Sequence, residues 1–311
     1  MKHFFIVLFI FLSPASEAQS PVPLGDPFIM LYEGKYYAYG THAADGIAVF
    51  VSDDLKTWSV PKEAQNGFAL DKDDVYADHW FWAPEVYFVN GWFYMYFSAN
   101  EHICVATSKS PLGPFKQKIK KPMLEDEKGI DNSLFIDDDG KAYLSFVRFN
   151  DGNNIWIAAL EDDLKTIKKE TMTKCIHVSQ PWEKVWPRVN EGSFIIKHKG
   201  IYYMTYSANS YESPFYGVGF ASATNIFGPW KKYEGNPILQ KPGNLVGVGH
   251  SALFKDKNGQ LRIVFHSHNS NTKIHPRTMH IGTVCFQNEN GKDIIKIGDD
   301  IITPKLLKEQ K

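Results

Sequence analysis

Five times along this 311-residue chain an apolar stretch enters a glycine-containing turn and leaves it as an aromatic-rich alternating stretch. The copies read FIMLYEGKYYAYG, VYFVNGWFYMYFS, LFIDDDGKAYLSF, FIIKHKGIYYMTYS and LFKDKNGQLRIVFHS. Alternation with period two marks strands. The Glu-Gly, Asn-Gly, Asp-Gly, Lys-Gly and Asn-Gly pairs supply the positive φ that a tight hairpin turn requires. The turn glycines Gly34, Gly91, Gly140, Gly200 and Gly259 stand 49 to 60 residues apart. Another alternating strand and a polar turn follow, as in FVSDDLKTWS, VATSKSPLGPF, IAALEDDLKT and FASATNIFGPW. Three or four strands per repeat, with no amphipathic helix between them, is the pattern of a propeller blade. The expectation is an all-β chain forming a single five-bladed β-propeller. A β-sandwich with chance similarity among its hairpins is the alternative, and the regular spacing counts against it. Ring closure is expected to pair residues 20–24 with strands near 294–302.

Composition narrows the partners. Lys and Arg number 34 against 35 Asp and Glu, a net charge of −1. The sequence therefore lacks the positive excess that nucleic acid or an anionic membrane surface selects. The 8 Trp, 15 Tyr and 22 Phe recur after the turn glycines, as at Tyr36, Tyr37, Tyr202 and Tyr203, which points to packing between blades rather than an aromatic surface. Before the first repeat, Lys2 and His3 precede the apolar run from Phe4 to Leu12 and the small-residue stretch Ser16-Glu17-Ala18. That arrangement reads as a secretory signal peptide over residues 1–18, too short to span a bilayer, with the propeller occupying 19–311. Export to the periplasm or the extracellular space is the corresponding expectation. Cys104, Cys175 and Cys285 are spaced neither as a disulfide framework nor as a zinc site.

In a propeller, equivalent positions on the innermost strands meet at one mouth of the central channel. Counting back eight or nine residues from each turn glycine gives Asp26, Ala83, Asp131, Glu191 and His250, with the shorter count assigned to the first two repeats. Three carboxylic acids at five converging positions have no evident folding role. Each singly can be a solvated turn acceptor. Together they repel, so their protonation is driven apart, and one neutral acid beside one ionised acid is what glycoside cleavage requires.

The segments around these positions, GDPFI, HWFWAPEV, GIDNSLFIDDDGK, NEGSF and GVGHSALF, resemble glycoside hydrolase family 43. The resemblance covers almost the whole chain after residue 18. It implies a five-bladed propeller that hydrolyses arabinose- or xylose-containing polysaccharides or oligosaccharides, mostly with inversion, in exo or endo mode. Carried over residue by residue, Asp26 is the general base, Glu191 the general acid and Asp131 the residue that positions and tunes the acid. An α-L-arabinofuranosidase is favoured over a β-xylosidase. The resemblance also gives Arg277, in HPRTMHIG, as a binder of sugar hydroxyls, with a buried salt bridge as its alternative. His250 corresponds to an axial histidine that holds a water network or, through water, a structural calcium; no cofactor is required. Trp82 suits stacking on a sugar ring, against packing between blades. Glu85 reads as a structural hydrogen-bond acceptor, and His266 and His268 share a strand face without a zinc cluster. The Trp-rich residues 179–189, just before Glu191, are expected to wall the site. Two rivals stand beside this expectation: a carbohydrate-binding propeller without chemistry, and a retaining fructoside-type hydrolase on the same fold.

Overall fold

The computed structural model describes residues 19–307 apart from Pro187. The signal-peptide reading of residues 1–18 lies outside the described residues. The chain is an all-β propeller. Helical pieces among the described residues are short 3-10 turns at Lys72–Asp74, Lys169–Thr171 and Pro181–Lys184, and no helix is long and apolar enough to cross a membrane.

Each repeat forms one antiparallel sheet that begins with its hairpin. The inner and second strands are Gly25–Tyr32 and Lys35–Thr41, Trp82–Val89 and Trp92–Ala99, Gly129–Ile136 and Ala142–Phe149, Asn190–His198 and Ile201–Ala208, and Gly249–Lys255 and Leu261–Ser267. The first, third, fourth and fifth sheets have four strands and the second has three. Each inner strand packs against the next, and Gly249–Lys255 returns to Gly25–Tyr32, so the five inner strands close a ring. Aromatic pairs fill the joints: Tyr32 with Phe88, Phe135 with Tyr202, Tyr203 with Phe286, and Tyr36 with Phe254.

Two expectations are corrected. Among the described residues the sheets number six, where five blades were expected. The additional one has three short strands, with Gln19–Pro21 antiparallel to Lys305–Leu307, which runs parallel to Thr57–Trp58. Closure therefore uses Lys305–Leu307 and not residues 294–302. Lys292–Ile297 instead folds back on Thr278–Glu289 through a sixth hairpin whose turn residues, Asn290 and Gly291, have φ of 52° and 81°. That Asn-Gly signal gives a local partner, and a short loop costs less chain entropy than a distant pairing.

The second correction concerns register. The first, second and fourth hairpins turn on two residues with positive φ, Glu33-Gly34, Asn90-Gly91 and Lys199-Gly200. The third and fifth have longer connections, Asp137 to Lys141 and Asp256 to Gln260. The fourth repeat thus takes the shorter count, and its equivalent of Asp26 is Gly192. Backbone geometry agrees: every inner strand opens with a bulge whose second residue has positive φ, at Asp26 (46°), Ala83 (47°), Asp131 (58°), Gly192 (55°) and His250 (49°). Glu191 occupies the first position of its bulge, equivalent to Trp82.

Candidate active site

The bulges bring Asp26, Asp131, Glu191 and His250 to one mouth of the channel. Asp26 is almost fully buried and its carboxylate is held by three donors. Arg277 Nη1 donates to Oδ1 at 2.7 Å and Nη2 to Oδ2 at 2.9 Å, while the Thr41 hydroxyl donates to Oδ2 at 2.5 Å. Thr41 Oγ1 also accepts the Ala83 N–H at 3.0 Å, which leaves its own proton for Asp26. The Asp26 N–H donates to His266 Nδ1 at 3.0 Å, so that nitrogen carries no proton. Burial alone raises the Asp26 carboxyl, but the adjacent Arg277 guanidinium holds it well below the usual carboxylate range. Oδ2 has both lone-pair directions engaged and Oδ1 keeps one free.

Glu191 is held differently. The Tyr216 hydroxyl donates to Oε1 at 2.8 Å and the Asn153 amide to Oε2 at 3.0 Å. Both bonds favour the ionised form, yet burial outweighs them and Asp26 adds repulsion, so this carboxyl is pushed up to about 7. Asp131 is also raised well above its ordinary value, by burial first and then by Glu191 and Asp26. Its Oδ2 accepts the Gly192 N–H at 3.2 Å and its own N–H donates to Ser98 Oγ at 3.0 Å. One site thus holds a carboxylate whose proton affinity is lowered and two carboxyls whose proton affinity is raised.

Arg277 lies in the buried pair with Asp26 and against the ring of Tyr211, with its guanidinium carbon 4.8 Å from the centroid. It also lines a cavity of about 380 Å³ with Thr41, His42, Trp80 and Trp82. Trp82 is half-buried and stacks on Trp80, with centroids 5.6 Å apart and planes 18° from parallel. Trp80, 48% exposed, was not legible as a site residue. Tyr216, Asn153, Thr41 and Tyr211 were missed as well, because they come from turns and strand ends that carry no motif.

His250 presents Nδ1 to Asp26 Oδ1 at 3.4 Å and to Asp131 Oδ2 at 3.9 Å, and burial lowers its proton affinity. Among the described residues no group of three His, Cys, Asp or Glu side chains is set to hold a metal ion. Calcium takes six to eight oxygen ligands, waters included, and one imidazole facing two carboxyls does not by itself supply that shell. His266 and His268 do not form a pair of ligands: His268 Nε2 bonds the Tyr211 carbonyl at 2.7 Å.

The segment before Glu191 is fixed by a buried ion pair. Lys232 Nζ donates to Glu183 Oε1 at 2.6 Å and to Asn190 Oδ1 at 2.8 Å, next to the acid. Glu183 Oε2 also accepts the N–H groups of Ser179 and Gln180. Buried Asn209 clamps the loop from the other side, accepting from Val185 and Trp186 and donating to the carbonyls of Trp182 and Phe215. Trp182 packs inward against Tyr206, while Trp186 is exposed.

Glu85 accepts a bond from the Tyr87 hydroxyl and is pushed up to about 8 by burial. A carboxyl raised on folding from an ordinary 4.5 stabilises the protein fully below that value and loses the contribution as pH rises through about 8. Glu85→Gln is therefore expected to flatten the decline in melting temperature between pH 5 and 8. An unchanged slope would show that Glu85 is ionised in the folded protein.

Comparisons with known proteins identify the family. The model of glycosyl hydrolases family 43 matches residues 19–290. A solved structure described as endo-1,4-β-xylanase from Bacteroides thetaiotaomicron is 47% identical, with a TM-score of 0.88, over 94% of this chain and 100% of that one. A thermostable family-43 glycoside hydrolase is 37% identical, with a TM-score of 0.79, over 91% and 94% of the respective chains. A curated xylosidase/arabinosidase from Butyrivibrio fibrisolvens is 29% identical over 77% of this chain, which spans 47% of that protein's length. On its sequence and its fold, the chain belongs to glycosyl hydrolases family 43.

Proposed function

We propose that this chain is an exported, inverting glycosidase that releases arabinofuranosyl or xylosyl residues from plant-type polysaccharides or their oligosaccharides. The observation that carries the reading is the convergence of three carboxyls with different partners at one channel mouth, Asp26 paired with Arg277, Glu191 with Tyr216 and Asn153, and Asp131 with the Gly192 N–H. Ionised Asp26 takes a proton from water through its free Oδ1 direction as the water oxygen bonds to the anomeric carbon. Protonated Glu191 gives its proton to the glycosidic oxygen as that bond breaks. Asp131 stands beside the Glu191–Gly192 peptide and tunes the acid. Trp82 and Trp80 offer an aromatic face to the sugar ring, and Arg277 keeps the base charged and reaches the same cavity. The mature propeller is read as five-bladed, since five inner strands ring the axis and the sixth sheet joins the described ends of the chain. Residues 1–18 are the export signal.

The α-L-arabinofuranosyl reading comes from the sequence. The β-xylosyl reading is favoured by the relative at 47% identity, whose name specifies an endo-1,4-β-xylanase. A panel of arabinans, arabinoxylans and linear xylan, with products identified and anomers followed by NMR, separates them. Release of pentose units or pentose oligomers with inverted configuration is expected. An initially retained anomer would refute the role of Asp26, and binding of all these glycans without hydrolysis would leave a carbohydrate-binding propeller.

A further inference from the structure

The five bulges share a second regularity. Each bulge N–H points at a side chain of the preceding repeat, and in four repeats that side chain occupies one position on the second strand. Ala83 N–H donates to Thr41 at 3.0 Å, Asp131 to Ser98 at 3.0 Å, His250 to Ser207 at 2.7 Å and Asp26 to His266 at 3.0 Å. These acceptors sit opposite the first bulge residue of their own sheet, in the pairs Gly25 with Thr41, Trp82 with Ser98, Glu191 with Ser207 and Gly249 with His266. In the third sheet the corresponding pair is Ile130 with Val147. Val147 is fully buried and has no side-chain acceptor. The Gly192 N–H, due at that position, is taken instead by Asp131 Oδ2 at 3.2 Å. At Gly192 an added Cβ would approach the ring of His250 to 3.1 Å.

We propose that Val147 is a positioning residue of this site: by withholding the acceptor that the other repeats supply, it leaves the Gly192 N–H to Asp131 and so ties the Asp131 carboxyl to the peptide unit carrying Glu191. A buried N–H without a partner is costly, so the bond to Asp131 is the way this bulge satisfies its donor. The bond fixes one Asp131 oxygen and favours its ionised form against the burial that opposes it. The consequence for the acid rests on the reading of Glu191 given above.

The test is Val147→Ser, with Val147→Thr to retain side-chain volume and Val147→Ala as the variant that opens space without adding an acceptor. Crystal structures of the first two should show the introduced hydroxyl on the Gly192 N–H and the Asp131 carboxyl released from it. With that bond gone the Asp131 carboxyl is no longer tied to the peptide unit that carries Glu191, so kcat should fall about tenfold with KM little changed, as expected when a catalytic group loses its alignment. Val147→Ala should keep the wild-type kcat. A hydroxyl that leaves the Asp131–Gly192 bond intact would overturn the proposal. So would an exchanged bond with unchanged kcat, or an equal fall of kcat in Val147→Ala. The structures report the exchange without reference to activity, whereas an error in the role of Glu191 would appear in the leaving-group test of Glu191→Gln.

Discussion

Asp26→Asn is expected to lower kcat by about 10²–10⁴-fold, the range associated with loss of a general base, and to destabilise the fold at the same time. The second effect follows from the pairing. Both oxygens of Asp26 are bonded to Arg277, and both side chains are nearly buried. Removing one charge of such a pair strands the other, at a cost of about 3–5 kcal/mol. An inactive variant alone would therefore be ambiguous. The double variant Asp26→Asn, Arg277→Met removes the stranded cation and should recover most of the lost melting temperature without recovering turnover. Recovery of turnover with stability would demote Asp26 to a structural ion-pair partner. The low proton affinity of the wild-type carboxyl also places its protonation below the usual carboxylate range. No acidic limb from Asp26 should then appear in kcat/KM between pH 4 and 6.

Much of this site was legible because the fold repeats. Asp26 and Asp131 follow from a turn glycine and a strand length, since hairpin geometry is local and the inner strands necessarily converge. Glu191 was found by the same count, but the count was one residue out: Lys199-Gly200 is a two-residue turn, and the true equivalent is Gly192. The acid was reached because the bulge places the two residues side by side. Arg277 was legible as a residue of this region; the buried salt bridge that stood as its alternative is the pair with Asp26, and the side chain also lines the adjoining cavity. Tyr216, Asn153 and Thr41 were not legible. Their positions depend on how the sheets splay and where third strands begin, which no local pattern encodes. The same holds for closure: pairing of Gln19–Pro21 with Lys305–Leu307 joins segments nearly the whole chain apart, whereas the Asn290-Gly291 hairpin that displaced the expected partner was written in a dipeptide.

Glu191→Gln should separate substrates by leaving group. A natural glycoside departs as an alkoxide and needs the proton, so its kcat should fall about 10²–10⁴-fold. An aryl glycoside with an acidic phenol departs almost unaided and should retain most of its rate where glycosidic bond cleavage limits turnover. The pH dependence gives a second readout. Glu191 acts in its protonated form and is pushed up to about 7. Wild-type kcat on natural substrate should therefore hold through weakly acidic pH and decline as pH rises through about 7. Glutamine does not titrate, so the residual activity of the variant should lose that limb. Tyr216→Phe moves it upward: the Tyr216 hydroxyl bonds Oε1 at 2.8 Å and stabilises the ionised form, so its removal should raise the limb above 7. Equal losses on natural and activated substrates in Glu191→Gln, with the limb still present, would assign the proton to another group. Asp131, the other carboxyl raised by burial at this mouth, would then be the acid to test.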